Sequence, residues 1–320
     1  MNGDDAAAGS SGPASALRRV LGAASGGDLL AALAERLPGA DLTTLLLEVF
    51  RRRAARLSAP DVLRQYRSDR FVAPATVGFA ALRRAEDAML GARPSGFETV
   101  VLAPLVPLGT HTATGDVDPR NVIATIRNTE VAADPTNGLA LEAAARRGQL
   151  LRGSPRSAEP VRLAASQRGT RAQLFDGPVS FAHFQLLGVV SAGRDTGGRE
   201  FERRHLGEHA RLAAAGVAAL GVEHVAIAVT CLDEAARPVF AEIKDALADL
   251  DRTEVSEAPD RASGRAYYRD LCFKVYASAA GRRFEVGDGG FVDWTARLLG
   301  NRKERLLISG YGIDRLALLS

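Results

Sequence analysis

Short β-rich segments alternate with helical segments from Gly96 onward, and this alternation most limits the folds open to the chain. The predicted strands are residues 99–102, 122–126, 186–190, 225–230, 273–277, 284–286 and 306–308. The predicted helices between them are residues 139–147, 199–220, 234–250 and 293–299. A chain that mixes both elements in this way predicts a mixed α/β or α+β domain.

The N-terminal part of the chain has a different character. Residues 1–26 are rich in Ala, Gly, Ser and Asp and carry few large apolar side chains, so we expect a disordered tail. Residues 27–76 carry leucines at helical spacing and predict a small helical module. Within it, Ser58, Pro60 and Asp61 are typical of the start of a helix. Residues 77–320 then form the main domain.

Charge and composition argue against several classes of partner. Lys and Arg number 41 against 38 Asp and Glu, a net charge of 41 − 38 = +3, and the basic residues are spread along the chain. The basic run 51–53 fits an RNA-binding face or a solvated helix end, and the lack of an aromatic stacking platform favours the second. No apolar run reaches the ~18 residues of a membrane span. With only two cysteines and no basic, apolar leader, we expect a cytoplasmic protein without a membrane partner.

Two familiar phosphate-binding motifs are missing from the sequence, since it has neither G-x-x-x-x-G-K-[ST] nor G-x-G-x-x-G after a strand. Residues 205–209 match H-x-x-E-H, in which two histidines one helical turn apart bind zinc in some proteases. Because no third ligand can be identified downstream, we favour two exposed histidines on a helix. His183 fits either a phosphate contact or an ordinary loop residue.

Four separated segments, taken in order, carry the functional information. They are residues 96–105, 160–193, 265–293 and 308–316. Together they resemble the catalytic core of class II aminoacyl-tRNA synthetases, specifically histidyl-tRNA synthetase and its paralogues that are not synthetases. The resemblance covers residues 77–320 and implies an α+β fold, with an antiparallel β-sheet flanked by helices. It also implies a homodimer whose interface includes residues 96–105.

The resemblance implies an ATP site with two arginines. Arg171 stands where family members hold the α-phosphate, and Arg315 stands where they contact the γ-phosphate and the adenine. A planar guanidinium can bind two phosphate oxygens at once, which suits adenylate formation. The other residues at ATP-binding positions are Gln173, Phe184, Gly310 and Gly312.

The third segment implies a substrate pocket, whose most branch-specific feature is the tyrosine pair. The substrate-binding candidates are Asp134, Thr136, Tyr267, Tyr268, Gly289 and Gly290. The family's catalytic arginine before the tyrosines aligns with Ser263. In an extended segment Arg261 or Arg265 could reach the same pocket, and Arg265 is our third catalytic candidate. Asp288 fits a Mg²⁺ ligand or a turn residue.

Other positions depart from the family pattern. Neutral side chains replace charged ones at Gln173, Val190, Ser263 and Phe291, and Thr136 replaces a glutamate that pairs with a substrate ammonium group. The sequence also ends just after the fourth segment, which argues against conventional tRNA charging. We therefore expect an ATP- and Mg²⁺-dependent ligase that activates a small carboxylate or amino acid as an acyl-adenylate.

The alternative is a non-catalytic regulatory or binding paralogue similar to the regulatory subunit of ATP phosphoribosyltransferase. The lost charged groups favour it, because such losses are typical of a paralogue that no longer catalyses the family's reaction. The identity of the substrate, and whether a partner protein binds, stay open at this stage.

Overall fold

The computed structural model describes residues 27–173, 181–261 and 267–319. The predicted disordered tail, residues 1–26, lies outside the described residues, as do Ser263 and Arg265. The chain divides into two compact units. The first is Met1–Leu63 with Ile126–Asn128, and the second is Arg64–Thr125 with Thr129–Ser320.

The described N-terminal part of the first unit, up to Leu63, is mainly helical, as the leucine spacing predicts. It contains α1 (Gly27–Ala31), a π-helical turn (Ala32–Arg36), α2 (Gly39–Ala54) and the start of α3 (Ala59–Ser68). The backbone N–H of Ser58 donates to Asp61 Oδ2 at 2.9 Å, which provides the predicted helix start. In α2, Arg51 and Arg52 pair with Glu48 at 2.7 and 2.6 Å.

The second unit contains an eight-stranded sheet. Its strands are β1 (Glu98–Thr99), β4 (Val161–Thr170), β5 (His183–Arg194), β6 (His224–Cys231), β7 (Thr253–Glu257), β8 (Arg269–Ala279), β9 (Arg282–Val292) and β10 (Glu304–Gly312). They lie in the order β1-β4-β5-β10-β9-β8-β6-β7. The β1–β4 and β6–β7 pairs are parallel, and every other pair is antiparallel. A separate two-stranded sheet joins β2 (Leu105–Pro107) to β3 (Thr129–Val131).

Helices flank this sheet, so the predicted α+β architecture is confirmed. They are α4 (Phe79–Gly91), α5 (Thr110–Gly115), α6 (Pro135–Gly153), α7 (Glu200–Ala218), α8 (Arg237–Ala246), α9 (Trp294–Leu299) and α10 (Ile313–Ala317). Among the residues that the structure describes, no helix combines the length and apolar character needed to cross a bilayer.

Side chains of β10 alternate between two hydrophobic cores, one on each face of the sheet. Leu307 and Tyr311 join a large core with residues of α4 and α7, whereas Leu306 and Ile308 join a smaller core with residues of α6. Because successive strand residues point to opposite faces, Gly310 belongs to the same face as Ile308. We call this the α6 face, and it carries the candidate site.

An ion pair between Arg147 and Glu304 fixes α6 against the first residue of β10. Arg147 Nε and Nη2 donate to the two carboxylate oxygens of Glu304 at 2.8 and 3.0 Å, and both side chains are fully buried. The guanidinium also donates to the carbonyl oxygens of Ser157 and Glu159. The buried charges are therefore paired and hydrogen-bonded, as burial requires.

Three predictions about local structure are wrong. Residues 122–126 do not form a strand. The strand that pairs with β2 is β3, and Ala124 makes only an isolated bridge to Glu130. The predicted helix 234–250 is present as a short 3-10 turn followed by α8, but the predicted strand 99–102 overlaps β1 only at Thr99. His183 is not a loop residue, because it begins β5, where Nδ1 accepts from Arg168 Nη1 at 2.8 Å.

The expectation of two exposed histidines in α7 is also wrong, because both are buried. His209 lies between Ser191 Oγ at 3.1 Å and Ser309 Oγ at 2.8 Å, and His205 Nδ1 is 2.9 Å from Glu208 Oε2. Over the described ranges no group of three or more His, Cys, Asp or Glu side chains could hold a metal. The zinc interpretation thus gains no support.

Candidate functional site

A cavity of about 220 Å³ opens on the α6 face of the sheet. Segments distant in the sequence supply its walls, and the polar and aromatic members are His111, Asn121, Asp134, Thr136, Asn137, Arg171, Gln173, Tyr267, Tyr268, Asp288, Trp294 and Ser309. Ile308 and Gly310 of β10 also line it. The structure therefore brings together residues from three of the four segments singled out in the sequence.

Arg171 follows the last residue of β4 and is held by three neighbours. Its Nη2 lies 3.1 Å from Asp134 Oδ2, its Nε donates to the carbonyl oxygen of Ala133 at 3.4 Å, and its guanidinium carbon lies 5.0 Å from the centre of the Phe184 ring. The arginine is only partly exposed, so its charge sits at the mouth of the cavity with one carboxylate partner.

Asp134 is oriented by the helix that it caps. Its Oδ1 accepts from the backbone N–H and the hydroxyl of Thr136 at 2.9 and 2.7 Å, which satisfies donors at the start of α6. Pro135 is the first residue of the helix, a position that suits proline. The capping bonds leave Oδ2 for Arg171, so one carboxylate serves the helix and the arginine together.

Sequence reasoning missed the pair of His111 and Glu130, which holds the chain just before Asp134. The backbone N–H of Ala133 donates to His111 Nε2 at 3.0 Å, so the ring proton is on Nδ1 and is donated to Glu130 Oε1. The Glu130 carboxylate also accepts from the backbone N–H groups of Gly109 and His111, both at 2.9 Å. Burial raises the pKa of Glu130, but these hydrogen bonds outweigh burial and lower it.

Arg315 lies on the α6 face as well. A Cβ built on Gly312 would lie 3.5 Å from Arg315 Cδ, so the aliphatic part of the arginine packs over Gly312. Gly312 is two residues after Gly310 and therefore points to the same face of β10. Arg315 Nη1 donates to the carbonyl oxygen of Glu285 at 3.1 Å. A Cβ built on Gly310 would have no neighbour within 4 Å. An open strip of backbone therefore lies beside the cavity.

A hydrogen-bonded network links the tyrosine pair to Asp288. The Tyr268 hydroxyl donates to Asp288 Oδ2 at 3.2 Å, and Arg261 Nη2 lies 3.2 Å from the same oxygen. The Tyr267 hydroxyl donates to that of Tyr268 at 3.3 Å. Burial raises the pKa of Asp288, and the charge of Arg261 opposes that rise. A Cβ on Gly290 would lie 2.6 Å from Tyr268 Cδ1, so only glycine leaves room for the ring.

The predicted site residues are placed as follows. Asp134, Thr136, Arg171, Gln173, Tyr267, Tyr268, Asp288 and Gly310 line the cavity. Phe184 does not line it but packs against Arg171, and Arg315 packs over Gly312, two residues beyond Gly310. Gly289 differs from the expectation, because its missing side chain would point at Phe273 on the other face, 2.6 Å from the ring. Arg265 lies outside the described residues, and the Arg261 guanidinium carbon lies 5.3 Å from the centre of the Tyr268 ring.

Two of the departures from the family pattern, Phe291 and Val190, lie away from the cavity. Phe291 packs in the core on the opposite face of the sheet, and Val190 packs beneath α6. Tyr311 also belongs to the opposite core, where its hydroxyl donates to the carbonyl oxygen of His209 at 3.3 Å. None of these three side chains lines the cavity.

The sequence matches no family model and no curated protein, but its fold matches solved structures. It superposes on an ATP phosphoribosyltransferase regulatory subunit/histidyl-tRNA synthetase from Bacillus halodurans with a TM-score of 0.56 and 14% identity, covering 77% of this chain and 81% of that one. It superposes on a histidine–tRNA ligase subunit from Alicyclobacillus acidocaldarius with a TM-score of 0.56 and 14% identity, covering 77% of this chain and 95% of that one.

The apo histidyl-tRNA synthetase of S. aureus gives a TM-score of 0.53 at 14% identity, with 75% of this chain matched. This chain spans 65% of that enzyme. The superpositions show that the main unit has the fold of the class II synthetase core, as the four sequence segments predict.

Proposed function

Starting from the class II synthetase fold, we propose that this protein binds ATP and activates a small carboxylic acid as an acyl-adenylate. The observation that carries the proposal is the arrangement on the α6 face. Arg171 and Arg315 lie on one face of the sheet, the open backbone at Gly310 lies on that face too, and the cavity opens there. The nucleotide would occupy the open strip and the acid would occupy the cavity.

The residues present fit a nucleotide. Gly310 has no side chain and nothing above it within 4 Å, so a ribose or base can approach the backbone closely. The Phe184 ring offers a flat apolar surface beside Arg171. The guanidinium of Arg171 can take two oxygens of the α-phosphate, and that of Arg315 can take the γ-phosphate.

In the proposed reaction, a carboxylate oxygen of the acid attacks the α-phosphorus, an O–P bond forms, and the bond to pyrophosphate breaks. Negative charge builds on the α-phosphoryl oxygens as this occurs. Arg171 would stabilise that charge in exchange for its ion pair with Asp134, while the Phe184 ring keeps its guanidinium beside the cavity. Arg315 would hold the departing end of the triphosphate.

The fit to Mg²⁺ is weaker, because the carboxylates of the site already have partners. Asp288 is held by Arg261 and Tyr268, and Asp134 by Arg171 and its helix cap. We propose that magnesium is bound mainly by phosphate oxygens and water, as is common for this ion, with Asp288 as a candidate protein ligand. When bound, it would neutralise charge on the pyrophosphate.

The test is ATP–pyrophosphate exchange with a panel of small carboxylic acids, together with direct ATP binding by calorimetry. Arg171→Ala and Arg315→Ala should each weaken ATP binding and lower exchange. Arg152→Ala is the matched control, because this exposed arginine lies at the other end of α6. Absence of both ATP binding and exchange in the wild-type protein would refute the proposal.

We further propose a homodimer formed through residues 96–108. Apolar side chains are exposed there in a single chain: Val101 is 100% exposed, Leu108 52% and Leu105 42%. Exposed apolar clusters of this kind are typical of interaction surfaces. Light scattering should give the mass of a dimer for the wild-type protein and that of a monomer for Val101→Asp; a wild-type monomer would contradict the proposal.

A cytoplasmic location is part of the same proposal, because ATP is available there. It agrees with Cys231 and Cys272, which form no disulfide within the described part of the chain. Subcellular fractionation tests it directly.

A non-catalytic binding role is the second candidate. Two observations favour it: Arg171 is already paired with Asp134, and Arg261 with Asp288. The Bacillus halodurans neighbour, whose name includes a regulatory subunit, points the same way. Saturable ATP binding without exchange for any acid would favour this role over the ligase.

A further inference from the structure

Trp294 carries a buried hydrogen-bond donor that has no partner in the structure. It is the first residue of α9, its side chain is 2% exposed, and it lines the cavity. Its Nε1 is buried without an acceptor. An indole N–H can only donate, and leaving a buried donor unpaired costs free energy. Because the residue that carries this donor lines the cavity, the missing acceptor points to a bound ligand.

The N–H edge of the indole can be located from its neighbours. A Cβ built on Gly115 would lie 3.9 Å from Trp294 Cζ2 and 3.7 Å from Asn137 Nδ2. Cζ2 is bonded to the ring carbon that carries Nε1, so this edge is on the side of Gly115 and Asn137. Both residues line the cavity, and Asn137 is fixed by donating to Thr114 Oγ1 at 2.7 Å.

We infer that Trp294 determines substrate specificity by donating its N–H to an uncharged acceptor at the far end of the substrate acid. A carbonyl oxygen or an unprotonated ring nitrogen would serve. This inference rests on the proposed function only in taking a carboxylic acid as the ligand. The carboxylate end would face Arg171, at the mouth of the same cavity.

The charges of the cavity exclude other distal groups. An ammonium group has no lone pair to accept the indole proton. A second anionic group would find no free counter-charge among these residues, because Arg171 and Arg261 are already paired with Asp134 and Asp288. A neutral acceptor satisfies the indole without adding charge.

The size of the cavity limits the rest of the molecule. Its volume of about 220 Å³ is below the roughly 300–1,000 Å³ typical of cavities for drug-sized ligands. The Tyr267 and Trp294 rings lie 6.0 Å apart at 36°, and Ile308 adds an apolar wall. The substrate class is therefore a small acid with a short apolar or planar body and one neutral acceptor.

Matched pairs of acids test this inference without requiring catalysis. Levulinate is compared with valerate, and pyridylpropanoate with phenylpropanoate; within each pair only the first has an acceptor at its far end. Trp294 is the single tryptophan of the chain, so its fluorescence reports occupancy of the cavity. We expect the acceptor-bearing acid to bind about tenfold tighter or better, the effect of one hydrogen bond to a buried donor.

Trp294→Phe removes the donor and keeps an aromatic ring, and its binding is followed by calorimetry because the fluorophore is lost. The preference for the acceptor should disappear, with little change for the acid that lacks it. Thr295→Val is the control: the Thr295 hydroxyl is also buried without a partner but does not line the cavity, so the preference should persist.

Equal binding within both pairs by the wild-type protein, or no saturable binding of any of the four acids, would overturn the inference. So would an unchanged preference in Trp294→Phe. Failure of the ligase proposal gives a different result, because selective fluorescence changes would then occur without any ATP–pyrophosphate exchange.

Discussion

Replacing Gly310 with valine tests whether the open strip of β10 is the nucleotide site. The structure predicts that the free protein accepts the change, because a Cβ at this position meets no atom within 4 Å. Valine also suits a strand better than glycine, by about 0.5–1 kcal/mol. The melting temperature should therefore stay the same or rise by about 1–4 °C.

The same side chain would occupy the space that the proposed nucleotide needs. Forcing extra carbons into an occupied contact typically costs about 1–3 kcal/mol, which corresponds to roughly 5- to 150-fold weaker ATP binding. Calorimetric titration with ATP and a thermal melt of the same sample measure both effects. The prediction is thus a loss of binding without a loss of stability.

Two other glycines provide the comparison. Gly207 in α7 is equally open, so Gly207→Ala should leave ATP binding unchanged. At Gly287 a Cβ would lie 2.5 Å from Tyr311 Cδ1 and 2.7 Å from the carbonyl oxygen of Gly310, so Gly287→Ala should destabilise the fold itself. Wild-type ATP affinity in a stable Gly310→Val protein would refute the assignment of the nucleotide to this strip.

Three further predictions concern charged groups. Glu304→Gln should lower the free energy of unfolding by about 3–5 kcal/mol, because it leaves buried Arg147 without its counter-charge; urea denaturation measures this, and a loss below 1 kcal/mol would contradict it. Burial, helped by the charge of His205, lowers the pKa of His209 from 6.5 to about 3. Its stabilising contribution is therefore complete above pH 6.5 and is lost as the pH falls toward 3, so unfolding of His209→Gln should depend less on pH over that interval than unfolding of the wild type. Asp134→Asn keeps a good cap but removes the charge paired with Arg171, so ATP should bind about two- to fivefold tighter; unchanged or weaker binding would count against that pairing as a competitor.

Much of the fold follows from local pattern in the sequence. The β-rich runs around Leu186, Val225 and Leu306 form strands because their apolar residues are consecutive. Successive side chains then point in turn to the cores on the two faces of one sheet. The run at residues 122–126 is similarly rich in β-branched and apolar residues but does not join the eight-stranded sheet. Its Ala124 makes only an isolated bridge to Glu130. Local composition cannot show whether a neighbouring strand is available for pairing.

The site was only partly predictable for a related reason. Arg171 and the tyrosine pair could be identified because they belong to segments with a recognisable order. The pairing of His111 with Glu130 could not, since the two residues are 19 positions apart and carry no motif. The missing acceptor of Trp294 is likewise a property of three-dimensional packing, and the sequence shows only a single tryptophan.

The double use of the Asp134 carboxylate bears on the energetics of ligand exchange. An anion that draws Arg171 away removes the countercharge of Asp134, yet this carboxylate still sits at the amino end of α6, a helix of 19 residues. The partial positive charge at that end stabilises a carboxylate in its first turn. The helix dipole thus acts as a reserve countercharge, and the arginine can change partners without leaving an uncompensated anion behind.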